Sequence, residues 1–457
     1  MFRRAALLTL VVYPLAAQVP ATPNPDIVKL VGEVSSGRIA DIMRKLESFE
    51  TRGNYTDPTH PTRGIGAARR WIHDELKSYS PRLEVRFDAY KVKKQERFWR
   101  DVEVVNVVAV LKGKIHPDRQ IVISGHYDSL QLLNRRTGGA GDPPEMTGEQ
   151  RAQEAELPAP GVSDDASGTA AVMELARVMS QYEFDKTLVF IAFAAEEIGL
   201  VGSGLYADRA EKRKDLIEAV LNNDIIGNDL AGNGRRDNRR VRLFSADPAD
   251  SPSRTLARYV RDTALRYTPQ MAVETVFMHD RFRRGGDHTS FAIRGFAAVR
   301  FTTPAEFYAN QHTASDTFAN ASPDYAASVA RVNAAAAASL ALAPPAPLTE
   351  REITTGPRKG TMTTMLARGD SGYDAQLKWK PVDTPDVAGY SVLTRTTTAP
   401  FWEQELWVGN TTEFRFADLS IDDRIFGVRA WDKDGNPSLA APFMNTQSFT
   451  TKTPETY

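Results

Sequence analysis

Five short stretches carry the side chains best able to do chemistry. His126 lies in ISGHYDS, Asp164 and Asp165 in GVSDDASG, Glu196 and Glu197 in FAAEEIG, Asp224 in NNDIIG and His312 in QHTASDT. Adjacent carboxylates repel one another unless a cation lies beside them. Each stretch also has an ordinary structural reading. A lone His after a strand is a satisfied polar group. A Glu pair opening a helix compensates its dipole, and a single Asp forms a turn or an N-cap. Taken together those readings weaken, because five separate apolar segments end in His, Asp or Glu. The chain has no cysteine, so thiolate ligands are excluded. Two His and three carboxylates are then a set that suits a pair of zinc ions. Such a pair needs a bridging carboxylate, further ligands on each ion and a water whose pKa the metals lower. A carboxylate outside the metals must take that water's proton. Neighbouring residues point differently, so in either acidic pair one member can ligate while the other stays free.

The elements that must position these groups are legible around them. PDIVKLVGEVSSGRIADIMRKLESF has helical spacing of Ile27, Leu30, Val31 and Val34, and GAARRWIHDELKSY reads as a second amphipathic helix. LEVRFDAYKV alternates, whereas VVNVVAVLKG, QIVISGHYDS and KTLVFIAFAA are dense in apolar and β-branched residues, as buried strands are. DASGTAAVMELARVMSQY and GSGLYADRAEK read as helices, AVLNNDI and RVRLFSA as strands. The alternation predicts an α/β unit with a mixed, mostly parallel sheet flanked by helices. Ligand sites in such sheets lie at the carboxyl ends of the strands, where the acidic and imidazole groups stand. Residues 131–160 are polar and rich in Gly and Pro and read as one long surface loop. An Ala-rich helix from Asp324 stops at PPAP, residues 344–347. Beyond it, short alternating segments predict an all-β sandwich.

The whole chain bounds the function. Its 457 residues imply more than one domain. Lys and Arg number 57 against 58 Asp and Glu, a net charge of -1 that gives no reason to expect nucleic acid as a partner. Arg3 and Arg4 followed by an apolar run to Ala17 read as a secretory signal, residues 1–21, too short to span a bilayer comfortably. The expected product is exported, periplasmic or secreted, with no stable membrane insertion after signal cleavage. Without disulfides it relies on a large core or bound metal. The expected organisation is a signal at 1–21, a catalytic unit at 22–343, a linker at 344–352 and a β-sandwich at 353–457.

The motifs GHYDS, DDASG, AAEE.GL.GS and HT..DT, in that order over roughly residues 100–320, resemble the secreted two-zinc aminopeptidases of metallopeptidase family twenty-eight. The resemblance implies a zinc-exopeptidase fold, peptide substrates and two Zn2+ ions. It implies that His126 and Asp224 bind one zinc, that Glu197 and His312 bind the other, and that Asp164 bridges them. Glu196 would be the general acid/base, and Asp128 the carboxylate that orients His126, since ligating imidazoles need such a partner. A cis peptide after the bridging Asp is also implied. RGGDHTSFAIRGFAAVRF resembles a further family segment, so Asp287 and His288 are candidates to support the site or line the substrate pocket. His288 also has a plain capping or packing reading. Arg281, Arg283 and Arg284 read as a solvated patch or as contacts to a peptide carboxylate. The pocket itself is expected from residues 131–160 and from Phe277 to Phe307.

The last segment resembles a fibronectin type III module. Trp379 falls in its second strand, Tyr390 in its third, and DLSIDDRIFGVRAWDKDGNPS matches the late strands. It departs at Phe426, where the family has a Tyr that hydrogen-bonds backward. Such a module serves to contact another protein or a polysaccharide rather than to catalyse. Other readings stay open: a glutamate carboxypeptidase, a glutaminyl cyclase working with one zinc, or a non-catalytic binding protein on the same fold.

Overall fold

Apolar β-branched runs and amphipathic segments alternate along the first two thirds of the chain, and they fold as one layered unit. The structure, a computed structural model, describes residues 22–95, 98–132, 147–357, 359–369 and 371–443. The expected signal at 1–21 lies outside the described residues. Two compact units are formed, Pro23–Ala343 and a second containing the residues from Pro344 onward.

In the first unit come α1 (Pro25–Gly32), α2 (Ser36–Glu47), α3 (Gly64–Tyr79), β1 (Leu83–Val92), β2 (Val102–Leu111) and β3 (His116–His126). There follow α4 (Gly148–Ala155), α5 (Ser167–Met179), β4 (Lys186–Phe193), α6 (Val201–Arg213) and β5 (Leu216–Asn223). The unit ends with β6 (Arg240–Ser245), α7 (Pro252–Tyr267), β7 (Ala272–Val276), α8 (His288–Ala292), β8 (Ala298–Thr302) and α9 (Pro323–Leu342). The strands form one sheet in the order β1-β2-β4-β3-β5-β8-β6-β7. Pairs β3–β4, β3–β5, β5–β8 and β6–β7 are parallel, and the other three are antiparallel. The sheet is therefore mixed and mostly parallel. Its register matters: His126 pairs with Phe193 and Ser124 with Asn222. The chain segments that leave β3, β4 and β5 thus start level with one another, at one edge.

Successive residues of a strand face opposite sides, and both sides of this sheet are covered. Val122, Val189, Ile191 and Val220 pack with Tyr206, Ala207 and Ala210 of α6 and Phe291 of α8. α5 and α9 pack against β3 and β4. The alanines of α9, among them Ala330, Ala334, Ala337 and Ala341, are buried, and their small size lets the helix lie close. Local chemistry sets the helix starts. Asn24, Ser35 and Ser251 accept the cap bond from Asp26, Arg38 and Arg254.

Residues 131–160 do not form one continuous loop. Thr147 and Gln150 make a reciprocal capping box that opens α4, a T-x-x-Q signal present in the sequence. Residues 133–146 of that stretch lie outside the described residues. Among the described residues, no helix is long and apolar enough to cross a membrane.

The second unit contains β9 (Glu350–Glu352), β10 (Met362–Thr364), β11 (Leu366–Arg368), β12 (Ala375–Lys378), β13 (Val387–Thr396), β14 (Gln404–Gly409), β15 (Glu413–Phe416), β16 (Arg424–Asp432) and β17 (Ala441–Pro442). Sheets β11-β12-β15 and β14-β13-β16-β17 enclose a core of Leu377, Trp379, Tyr390, Val392, Phe426 and Val428. This is an all-β sandwich. Phe426 is buried in that core, while the Tyr390 hydroxyl accepts from the Val382 N–H at 2.9 Å. The linker expected over 344–352 is shorter, because Leu348 bridges to Lys380 and Glu350–Glu352 pairs with β10.

At Gly202, a Cβ would overlap the Ala194 carbonyl oxygen and the Asn106 side-chain oxygen. Gly202→Ala is therefore expected to destabilise the α/β unit by about 1–3 kcal/mol. A drop in the urea midpoint checks it, and an unchanged midpoint would show that α6 is not held against the end of β4.

Candidate metal centre

The polar groups leave the sheet at the edge its register defines. His126 is the last residue of β3, Glu196 and Glu197 follow β4, and Asp224 follows β5. Asp164 lies in an irregular turn, Val162–Ala166, that opens α5, and neither it nor Asp165 has helical dihedrals. The peptide between them is cis. A Cβ at Gly125 would sit 2.7 Å from the Gly168 carbonyl carbon, and one at Gly168 would overlap the Asn223 carbonyl oxygen. Only glycines let this turn seat so tightly against the ends of β3 and β5. His312 arrives on the loop after β8.

These groups converge. His126 Nε2 is 3.1 Å from Asp164 Oδ1, and His312 Nε2 is 3.2 Å from Asp164 Oδ2 and 3.0 Å from Glu197 Oε2. Asp224 Oδ1 is 4.0 Å from His126 Nε2. Two groups have ligand atoms all within 4.8 Å of one another: His126, Glu196 and Asp224, and His126, Asp164 and Glu197. Asp164 thus turns one oxygen to each imidazole. His126, Asp164 and Asp224 are buried, and Glu196, Glu197 and His312 are half-buried.

Such a crowd of carboxylates is costly without positive charge. Burial pushes Glu196 well above its ordinary pKa, with Asp224, Glu197 and Asp287 adding to the effect and His126 opposing it. Burial also raises Glu197 against His312. Burial works the same way on Asp164, but hydrogen bonds from His126 and His312 outweigh it and hold this carboxyl well below the usual range. His312 is pushed up to about 11, chiefly by Glu197 and against burial. Glu197 Oε1 is buried with no hydrogen-bond partner. A divalent cation would satisfy that oxygen and the excess negative charge together, and it would invert this titration pattern. Nitrogen and oxygen donors without sulfur fit zinc.

The supporting contacts are specific. Asp128 accepts from Asn54 Nδ2 at 2.8 Å and from the N–H groups of Glu196 and Glu197 at 3.2 Å each. The Asp128 carbonyl lies 3.2 Å from His126 Nδ1 and its carboxylate 3.4 Å. Its carboxylate therefore anchors the Glu pair as well as facing the imidazole. Asp165 is turned away from the ligand cluster: it accepts from the N–H groups of His126, Gly168 and Ile225 at 3.1, 2.8 and 3.2 Å. Ala195, Ile225 and His312 have φ of 62°, 61° and 53°. Left-handed backbone at a non-glycine residue is held only where surroundings over-determine it, and each of these sits at or beside a candidate ligand.

Several functional residues were not legible as such. Asp316, in the HT..DT motif, accepts from Ser163 N at 2.9 Å and from Asp164 N at 3.0 Å, holding the turn that carries Asp164. Arg52 is fully buried and donates to the carbonyls of Tyr127, Leu46, Pro160 and Gly161. Arg300, also fully buried, places Nη2 2.7 Å from Asp224 Oδ1 and Nη1 2.9 Å from Asp280 Oδ2. A charged residue inside the apolar run AAVRFTT was the available signal.

The residues named as pocket candidates make specific contacts of their own. His288 is fully buried, stacks 5.3 Å from His279 and lies 2.9 Å from the His279 carbonyl, which is a packing role. Asp287 is buried near Asp224 and His126, and burial pushes it up to about 7. Arg284 is paired with Glu306 and Gln311, and Arg281 with Glu306 and Asp280. The cavity beside Glu197, about 200 Å³, is lined instead by Tyr55, Trp99, Leu130, Arg151 and Ile198 among others, with none from the Phe277–Phe307 region. Residues 131–160 contribute to it through α4.

The family model described as Peptidase family M28 matches residues 106–337. A probable zinc metalloprotease of Pyricularia oryzae is 38% identical over 92% of this chain and 85% of its own. One of Leptosphaeria maculans is 35% identical over 89% and 94%. Among solved structures, the Legionella pneumophila LapA aminopeptidase matches with a TM-score of 0.51 at 20% identity, covering 71% of this chain and 76% of that one. The Porphyromonas gingivalis glutaminyl cyclase matches with a TM-score of 0.50 at 15% identity, covering 66% and 97%. Likeness at that identity is a likeness of fold.

Removing the guanidinium between Asp224 and Asp280 strands buried charge. Arg300→Met is expected to cost about 3–5 kcal/mol, read as a fall in the urea midpoint. A variant as stable as the parent would show that neither carboxylate depends on it.

Proposed function

The chain belongs to peptidase family M28, the zinc-dependent peptidases, and on that premise we propose that it is a two-zinc aminopeptidase that removes N-terminal residues from peptides. The observation that carries the proposal is the seat of Asp164, one oxygen 3.1 Å from His126 and the other 3.2 Å from His312. His126 and Asp224 would hold one ion, Glu197 and His312 the other, and Asp164 would contact both. Bound zinc supplies Lewis acidity, lowering the pKa of a water and polarising the scissile carbonyl.

The chain's own groups do the rest. Glu196, within reach of His126 and Asp224, takes the proton of the attacking water and passes it to the leaving amine. Asp128 fixes Glu196 through its N–H. Arg281 and Arg284 are engaged by Glu306, and Arg300 by Asp224 and Asp280, so none of these three guanidiniums is offered to a substrate carboxylate. That supports the amino end over the carboxyl end.

The sandwich from Pro344 onward, with three- and four-stranded sheets around Trp379 and Tyr390, supports a fibronectin type III-like module that contacts a protein or polysaccharide. The basic and apolar start of the chain supports export.

Aminoacyl chromogenic substrates should be hydrolysed and their N-blocked counterparts left intact, with activity abolished by a chelator. Cleavage of N-blocked peptides at equal rates would refute the aminopeptidase reading. Elemental analysis should find two zinc ions per chain; one would favour a cyclase. Glu196→Gln should retain zinc and lose about 10²–10⁴ in turnover, whereas Asp164→Ala should lose zinc itself. Near-normal kcat in Glu196→Gln would remove the proton-transfer role.

A further inference from the structure

The connection between α2 and α3 lies ahead of residues 106–337, the stretch that marks the family, yet it reaches the centre from two sides. Arg52, fully buried, donates to the carbonyl of Tyr127, next to His126, and to those of Pro160 and Gly161, which lead into the turn carrying Asp164. Its backbone N–H donates to Ser129 Oγ at 3.0 Å, and the Ser129 N–H donates to the Arg52 carbonyl at 3.4 Å. Thr56 Oγ1 donates to the Gly53 carbonyl at 2.7 Å and accepts from the Ile65 N–H at 3.1 Å, which ties the other end to α3. Asn54 sits between these anchors. Its Nδ2 donates to Asp128 Oδ2 at 2.8 Å, and its Oδ1 is buried without a hydrogen-bond partner. An ionised carboxylate only accepts, so Asp128 dictates which way the amide turns. An amide kept for stability alone would have both ends satisfied.

Asp128 stands at a junction. The oxygen that meets Asn54 also accepts from the Glu197 N–H at 3.2 Å. The other accepts from the Glu196 N–H at 3.2 Å and lies 3.4 Å from His126 Nδ1. The Asn54 bond is the shortest of the three hydrogen bonds. Resting on the reading of the cluster as a zinc peptidase centre, we propose that Asn54 is a positioning residue of that centre. Through Asp128 it fixes the His126 imidazole and the backbone from which Glu196 and Glu197 project. A segment ahead of the family's own stretch thereby sets both metal affinity and turnover.

The full chain, stripped of metal, is titrated with zinc against a chelating indicator, and the zinc-saturated protein is assayed with leucine p-nitroanilide. Asn54→Leu keeps the branched shape, removes the donor and bars water from Asp128. It should weaken zinc binding and lower kcat by about 10–100-fold each, with KM changed by less than about threefold. Asn54 also lines the cavity of about 200 Å³ beside Glu197, so Asn54→Ala admits a water that can donate to Asp128 in its place. Its losses should be smaller than those of Asn54→Leu, the reverse of the order that lost packing gives. Zinc affinity and kcat at parental values in both folded variants would overturn the positioning role, whatever happens to the urea midpoint, and leave the peptidase reading intact. If Asn54→Leu does not fold, Asn54→Ala decides: a loss of about threefold or more in zinc affinity supports the role, and a parental value overturns it. Weakened zinc binding in the variants of a parent that hydrolyses nothing would support the role of Asn54 and refute the peptidase. A parent that binds no zinc would refute both.

Discussion

Asp164 occupies the place where the demands on this molecule meet. Its two oxygens face different imidazoles, His126 and His312, which stand 186 residues apart in sequence. A carboxylate in so dry a site needs positive charge or hydrogen-bond donors at its oxygens. Carboxylates around it outnumber the cations the protein supplies, and a metal with nitrogen and oxygen ligands resolves that imbalance. The parallel strands exist to deliver those ligands to one edge, at one level.

Holding Asp164 there takes much of the surrounding chemistry. Asp316 fixes the backbone on its N-terminal side, and Asp165 ties its C-terminal side to β3, β5 and the start of α5. Arg52 gathers the carbonyls of Pro160 and Gly161 just upstream. Arg300 faces Asp224 from behind. The ligands themselves are few, and the groups that aim them are more numerous. Metal affinity in such centres depends strongly on that outer layer. The left-handed residues Ala195, Ile225 and His312 belong to the same economy of position, since each redirects the chain beside a ligand.

The paired acidic motifs illustrate how adjacent residues divide labour. In Asp164-Asp165 one carboxylate faces the imidazoles and its neighbour binds backbone N–H groups. In Glu196-Glu197 one side chain meets His312 and the other joins His126 and Asp224. Both N–H groups of the Glu pair point to Asp128. The cavity beside the cluster is lined by Glu197 and not by Glu196.

Much of this could be read before any coordinates. The strands and the larger helices follow from apolar periodicity, and the donor residues stand at strand ends because turns there expose them. Zinc without sulfur follows from the missing cysteines. The α4 capping box was present as T-x-x-Q but was masked by its polar, Pro-rich surroundings. Arg300, Asp316 and Arg52 were not legible, nor were the partners of Asp165 and Arg284. Their roles rest on partners tens to hundreds of residues away. Periodicity, caps and turn signals report interactions a few residues long, so they specify elements and which groups those elements carry. Which buried charge meets which, and which side chains wall a cavity, is settled only when desolvation in the packed fold leaves each group no partner but the one beside it.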